Sequence, residues 1–183
     1  MNLERYGLHK RLFERLGVSG DALYLFVAAS LATLVSGLTA YLLREPFLFP
    51  SLAPTVFLFF EKPLESASSP RSAVIGHLIA LAVGYLSLSL FGLLDAPSVL
   101  EAGVSGARVG AATLSVGLTG ALILLAHDAH PPAGATTLIV SLGLLSTPRA
   151  LFVMALSVVL LTATGWAINR AVGVPMPVWS AQK

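Results

Sequence analysis

Long apolar stretches alternate with short ones along this chain. Residues 22–43 carry no charged side chain over 22 positions, residues 72–94 carry only His77 over 23, and residues 109–126 and 150–168 are uncharged over 18 and 19. Each reaches the roughly 17–25 residues that a helix needs to cross about 30 Å of hydrocarbon. Two shorter apolar segments lie between them, 47–60 with 14 residues and 131–145 with 15. As straight helix either would extend only about 21–23 Å. Both open on proline and small residues, and proline is tolerated in the first turn of a helix but not in its interior. Each is therefore read as an irregular entry followed by a half-helix, beginning near Ser51 and near Pro132. The predicted fold class is all-α integral membrane, with four full transmembrane helices plus two broken or half-helical segments.

The two short segments correspond to one another. Pro50, Ala53 and Thr55 match Pro132, Ala135 and Thr137 at an offset of 82, and Pro70-Arg71 matches Pro148-Arg149 at 78. The order of long, broken, Pro-Arg, long occurs twice, which predicts an internal repeat. A basic amphipathic segment, 1–21, precedes one transmembrane domain, 22–172, made of repeats 22–94 and 104–172; a tail, 173–183, follows. Leu3, Leu8, Leu12, Phe13 and Leu16 suit one face of a short helix at the headgroups, with a loosely ordered basic tail as the alternative. Ser69-Pro70 and Thr147-Pro148 read as N-cap plus first-turn proline, and Asp21 as the cap of the first long helix. If the broken segments cross, there are six passages and the halves are inverted; if they re-enter, there are four and the halves are parallel. The inverted arrangement is the expected one. Basic residues favour the N-terminus inside in either case, and if the segments cross Arg44, Arg108 and Arg149 lie outside; a plasma (inner) membrane location is expected.

Composition agrees with the pattern. Of 183 residues 56% are hydrophobic and 11% charged, against about 25% charged in an ordinary soluble domain, and the mean hydropathy is +0.84. The net charge of +2 leaves no nucleic-acid footprint. Without cysteine, disulfides, thiolate metal sites and cysteine nucleophiles are excluded.

The densest polar cluster is His127-Asp-Ala-His130-Pro-Pro-Ala-Gly-Ala-Thr-Thr137, leading into the second broken segment. This string resembles the signature of the HPP family of small integral membrane proteins. Phe49-Pro-Ser-Leu-Ala-Pro-Thr55, Ser69-Pro-Arg71, Gly76-His77, Leu138-Ile-Val-Ser-Leu-Gly143 and Ile168-Asn-Arg170 support the resemblance, which runs from about Tyr24 to Trp179. It implies four transmembrane helices and a transport role, and plant members of the family are associated with nitrite movement across the chloroplast envelope.

The residues themselves point to an anion. A helix N-terminus exposes unpaired N–H groups and about half a positive charge. Half-helices beginning near Ser51 and Pro132 would aim two such ends at one point, where Ser51, Thr55, Thr136 and Thr137 add hydroxyls. Leu52, Ala53, Ala133, Gly134 and Ala135 complete the expected binding residues, the small ones letting an ion approach the backbone; the alternative is that they only permit tight helix packing. His77 is costly in an apolar stretch unless paired or lining a wet path. His130 either fixes its turn by bonding a carbonyl or serves an anion or a coupled proton. The expected ligand is a small inorganic monoanion and the expected surroundings are lipid bilayer, with self-association into a dimer or trimer. No cofactor and no enzymatic activity are expected, because the apolar segments lack a nucleophile with a base or paired acids. Metal handling through His77, His127, Asp128 and His130, or an accessory role beside another transporter, are the alternatives.

Overall fold

Both Ser/Thr-Pro steps start helices where the sequence predicts. In the computed structural model, which describes residues 7–127 and 129–180, Ser69 Oγ accepts from the Ser72 N–H and Thr147 Oγ1 from the Ala150 N–H, each at 3.2 Å. The helices are α1 (Gly7–Leu16), α2 (Val18–Leu43), α3 (Leu52–Glu61), α4 (Pro70–Leu90), α5 (Val99–Ala102), α6 (Gly106–Leu125), α7 (Ala133–Ser141) and α8 (Pro148–Ala171). Four of them, α2, α4, α6 and α8, are long and apolar enough to cross a membrane. The half-helices α3 and α7 begin one residue after Ser51 and Pro132, as expected.

Contacts between element ends fix the direction of each passage. At one face, called basal here, Leu8 N–H donates to the Val172 carbonyl, Arg71 N–H to the Trp179 carbonyl, and the Arg71 guanidinium reaches the Ala126 carbonyl. Asn169 Nδ2 donates to the Phe59 carbonyl at 2.9 Å. The start of α4 and the ends of α3, α6 and α8 therefore share this face. At the opposite face Arg149 pairs with Glu45, Val99 N–H donates to the Leu142 carbonyl, and Arg108 reaches the carbonyls of Ala96, Pro97 and Ser141. There the end of α2 meets the start of α8, and the end of α7 meets the start of α6.

The broken segments thus run from face to face. Residues 44–51 return from the end of α2 with Phe47 and Phe49 buried and Leu48 exposed, an extended alternation. The four residues 46–49 between the turns cover about 13 Å if extended and the ten-residue α3 adds about 15 Å, close to the thickness of the hydrocarbon. Three passages per half leave the second half upside down relative to the first. The packing has the matching exchange: α3 lies on α2 and α8, α7 lies on α6 and α4, and α4 and α8 pack on each other. Small residues make the closest of these contacts possible. A Cβ on Gly84 would stand 2.7 Å from Val140 Cβ, so only glycine lets α4 meet α7 this closely.

One expectation is corrected. Asp21 does not cap the first long helix: α2 starts at Val18, and Asp21 pairs instead with His9 of α1 at 2.9 Å. His9 is buried and stacks on Tyr24 at 4.6 Å, so α1 is held by a specific contact rather than by its apolar face alone. Leu3 lies outside the described residues. The Arg108 guanidinium is buried and caps the carbonyl end of α7. The described part of the tail is docked, since Val174 and Met176 are fully buried.

The absence of cysteine lets single-cysteine variants report sidedness directly. Glu65→Cys and Val178→Cys are expected to react with an impermeant maleimide from one side of a reconstituted vesicle and Leu100→Cys from the other. Labelling of positions 65 and 100 from the same side would refute the face-to-face assignment.

Candidate functional site

The two half-helices meet through side chains. Ser51 stands just before α3 and Thr55 one turn into it; Thr136 faces them from the first turn of α7. His77 lies two turns into α4, about 10 Å along its axis from Pro70. His130 sits in the proline-led turn before α7. Position 76 has to be glycine for this ring to fit, because a Cβ there would stand 2.9 Å from His130 Cβ.

These five side chains form one hydrogen-bonded chain, and none is more than 1% exposed. Thr136 Oγ1 donates to Ser51 Oγ at 2.9 Å and lies 2.7 Å from His77 Nδ1. Thr55 Oγ1 bridges the two rings, 3.0 Å from His77 Nε2 and 3.1 Å from His130 Nε2. The two Nε2 atoms are 3.3 Å apart, with the rings edge to face. His130 Nδ1 donates to the Ala67 carbonyl oxygen at 2.7 Å, which anchors the chain in the turn between α3 and α4. A buried hydroxyl or imidazole without such partners would cost about 1–3 kcal/mol, so the network is what lets five polar groups lie inside an apolar bundle.

The structure brings together Ser51, Thr55, His77, His130 and Thr136 of the expected residues, and leaves the others elsewhere. Leu52 joins the hydrophobic core. Ala133 packs beside Ala80 and Ile123 and so serves helix contact. Ala53 is exposed on the outer side of α3, and Ala135 lines an outer groove of about 370 Å³ with Pro54, Phe57 and the two prolines before α7. Gly134 is half-buried. Thr137 is buried, but its hydroxyl has no partner. His127 is exposed with a left-handed backbone, φ 55°, and Asp128 lies outside the described residues.

The expected bare helix ends are also corrected. The N–H groups of Leu52 and Ala53 donate to the carbonyls of Phe49 and Pro50, and those of Ala133, Gly134 and Ala135 to His130, Pro131 and Pro132, at 2.9–3.3 Å. The proline-led turns place carbonyls one tight turn ahead of each half-helix, so its first N–H groups are already used. Donors at this centre are hydroxyls and imidazoles instead. The pair His77 and His130 has no third neighbour of metal-ligating type, since no group of three His, Cys, Asp or Glu occurs among the described residues.

Two buried groups escaped the sequence reading. Asn169 accepts from Tyr24 Oη at 2.8 Å and donates to Phe59 and Gly165 carbonyls, tying α2, α3 and α8 together. Its signals were an amide in the last turn of an apolar helix and its place in the Ile168-Asn-Arg170 string. Arg108 gave the opposite signal, a charge at a helix start that reads as interfacial.

A family model described as HPP, transmembrane region, matches residues 17–177. No curated protein and no solved structure matches the chain.

Thr55→Val removes the hydroxyl shared by two imidazoles and is expected to lower unfolding stability in detergent by about 1–3 kcal/mol. Thr55→Ser keeps it and is expected to cost about 0.8 kcal/mol, the loss of one methyl. Equal losses in a thermal or denaturant melt would show that the bridge contributes nothing.

Proposed function

The chain belongs to the HPP transmembrane family, and from that premise and the buried hydroxyl–imidazole chain we propose that it carries a small inorganic monoanion across the bilayer, with nitrite as first candidate. The observation that carries the reading is the composition of the centre: five donor-bearing side chains where two half-helices meet, with no carboxylate among their described hydrogen-bond partners. Such a centre repels no anion and offers no fixed positive charge that would trap one. Conduction needs binding that is favourable enough to enter and weak enough to leave.

The hydroxyl pair Ser51 and Thr136 is the point of contact. In the closed arrangement the two hydroxyls are bonded to each other at 2.9 Å, and an arriving anion replaces that bond by accepting from both. The exchange costs one internal hydrogen bond and returns two charge-assisted ones, which are about twice as strong as neutral ones. Nitrite and nitrate are planar and small enough to accept two donors at once. The association of plant family members with nitrite supports that order of candidates.

Purified protein in liposomes is expected to admit at least one of nitrite, nitrate, chloride and formate above protein-free vesicles. Ser51→Ala and Thr136→Val are expected to slow that flux about 10–100-fold, the kinetic equivalent of one lost charge-assisted bond. Arg149→Lys, at an exposed ion pair, is expected to stay near the parent rate. Absence of flux for all four anions would overturn the reading.

A further inference from the structure

The hydrogen count along the buried chain couples its two ends. The Ala67 carbonyl only accepts, so His130 Nδ1 carries a hydrogen, and in a neutral ring Nε2 is then a bare acceptor. At the other end the hydroxyls of Ser51 and Thr136 are free to turn. When Ser51 donates to Thr136, and Thr136 to His77 Nδ1, His77 carries its hydrogen on Nε2. It then donates to Thr55, and Thr55 donates to His130 Nε2. Every contact is satisfied with both rings neutral.

The opposite orientation leaves a deficit. When Thr136 gives its hydrogen to another acceptor, as it must to a bound anion, His77 Nδ1 must donate to Thr136 Oγ1. His77 Nε2 is then bare as well. Two bare nitrogens face each other at 3.3 Å with the one hydroxyl hydrogen of Thr55 between them. One added proton, on either Nε2, completes the set.

We propose that the paired imidazoles of His77 and His130, bridged by Thr55, form a proton site whose occupancy is coupled one to one to an anion at Ser51 and Thr136, so that the protein moves both together without net charge. The inference rests on the anion reading above and names its co-substrate. An anion accepting from Ser51 and Thr136 imposes the deficient orientation, and the proton that repairs it also neutralises the anion's charge in a low-dielectric interior. Among the described residues no other titratable group bonds these rings. Their hydrogen bonds go to Thr55, Thr136, the Ala67 carbonyl and each other. Described charged groups on the elements packed around them lie near element ends: Asp21 on α2, Glu61 at the end of α3 with Lys62 and Glu65 after it, Arg71 on α4, Arg108 on α6 with His127 beyond it, and Arg149 and Arg170 on α8. Tyr24 bonds Asn169, and Tyr85 is about 12 Å further along α4.

The test is initial nitrite and nitrate uptake into proteoliposomes under an imposed pH gradient or a potassium–valinomycin potential, with protein-free vesicles subtracted because nitrous acid crosses lipid unaided. The expected result is uptake driven by an alkaline interior, about tenfold accumulation per pH unit, and insensitive to the imposed potential. His130→Gln, or His77→Gln should the first fail to fold, is expected to convert this into uptake driven by an interior-positive potential and indifferent to pH. Potential-driven, pH-indifferent uptake by the parent protein would overturn the proton coupling while leaving anion transport standing. Absence of protein-dependent flux under either drive would overturn both.

Discussion

Backbone polar groups placed in hydrocarbon have to be satisfied by the protein itself, and two half-helices ending inside the bundle make that constraint unusually severe. The N-terminal N–H groups of α3 and α7 are met by carbonyls of the proline-led turns before them. The C-terminal carbonyls are met from outside the half-helices: Phe59 by Asn169, Leu58 by Ser68 and Ser141 by Arg108. These are contacts across the chain, so the half-helices exist only once α6 and α8 are in place. The docked tail belongs to the same arrangement, because Met176 packs against Asn169 and Trp179 accepts from the first turn of α4.

Within that frame the packing is nearly symmetric and the chemistry is not. Exchanging the halves carries α2, α3 and α4 onto α6, α7 and α8 with their pairings preserved. Yet the repeat offsets place Thr137 opposite Thr55, Ala155 opposite His77 and Leu48 opposite His130. Thr55 bridges two imidazoles, whereas the Thr137 hydroxyl has no partner. One polar centre, with both of its imidazoles, is therefore built into a two-fold scaffold.

Charge is kept away from this centre. Apart from those of α1, the described cations lie at or near element ends, where Arg108 bonds carbonyls and Arg149 an acid. At the face opposite the basal one, hydrogen bonds from Ser98 hold the Glu101 carboxyl below the usual carboxylate range. Attraction inside the membrane is left to neutral donors, each worth about 0.5–1.5 kcal/mol net.

The sequence by itself determined the elements. Apolar lengths set by bilayer thickness gave α2, α4, α6 and α8; proline at a first turn gave the starts of α4 and α8 and, with the small residues beside it, those of α3 and α7. These are local or one-dimensional constraints, and so was the polarity that singled out Ser51, Thr55, His77, His130 and Thr136. Which of the eleven expected residues share a centre was settled by packing, because the neighbours Thr136 and Thr137 differ only in the direction each takes from its helix. Tertiary structure alone turned His9 and Asp21 into a pair, Arg108 into a helix cap and Asn169 into a tie between three helices. A hydrogen bond between residues 75 or 145 positions apart, as for Thr55 with His130 and Tyr24 with Asn169, leaves no periodic trace, since its geometry is fixed by packing rather than by neighbours in the chain.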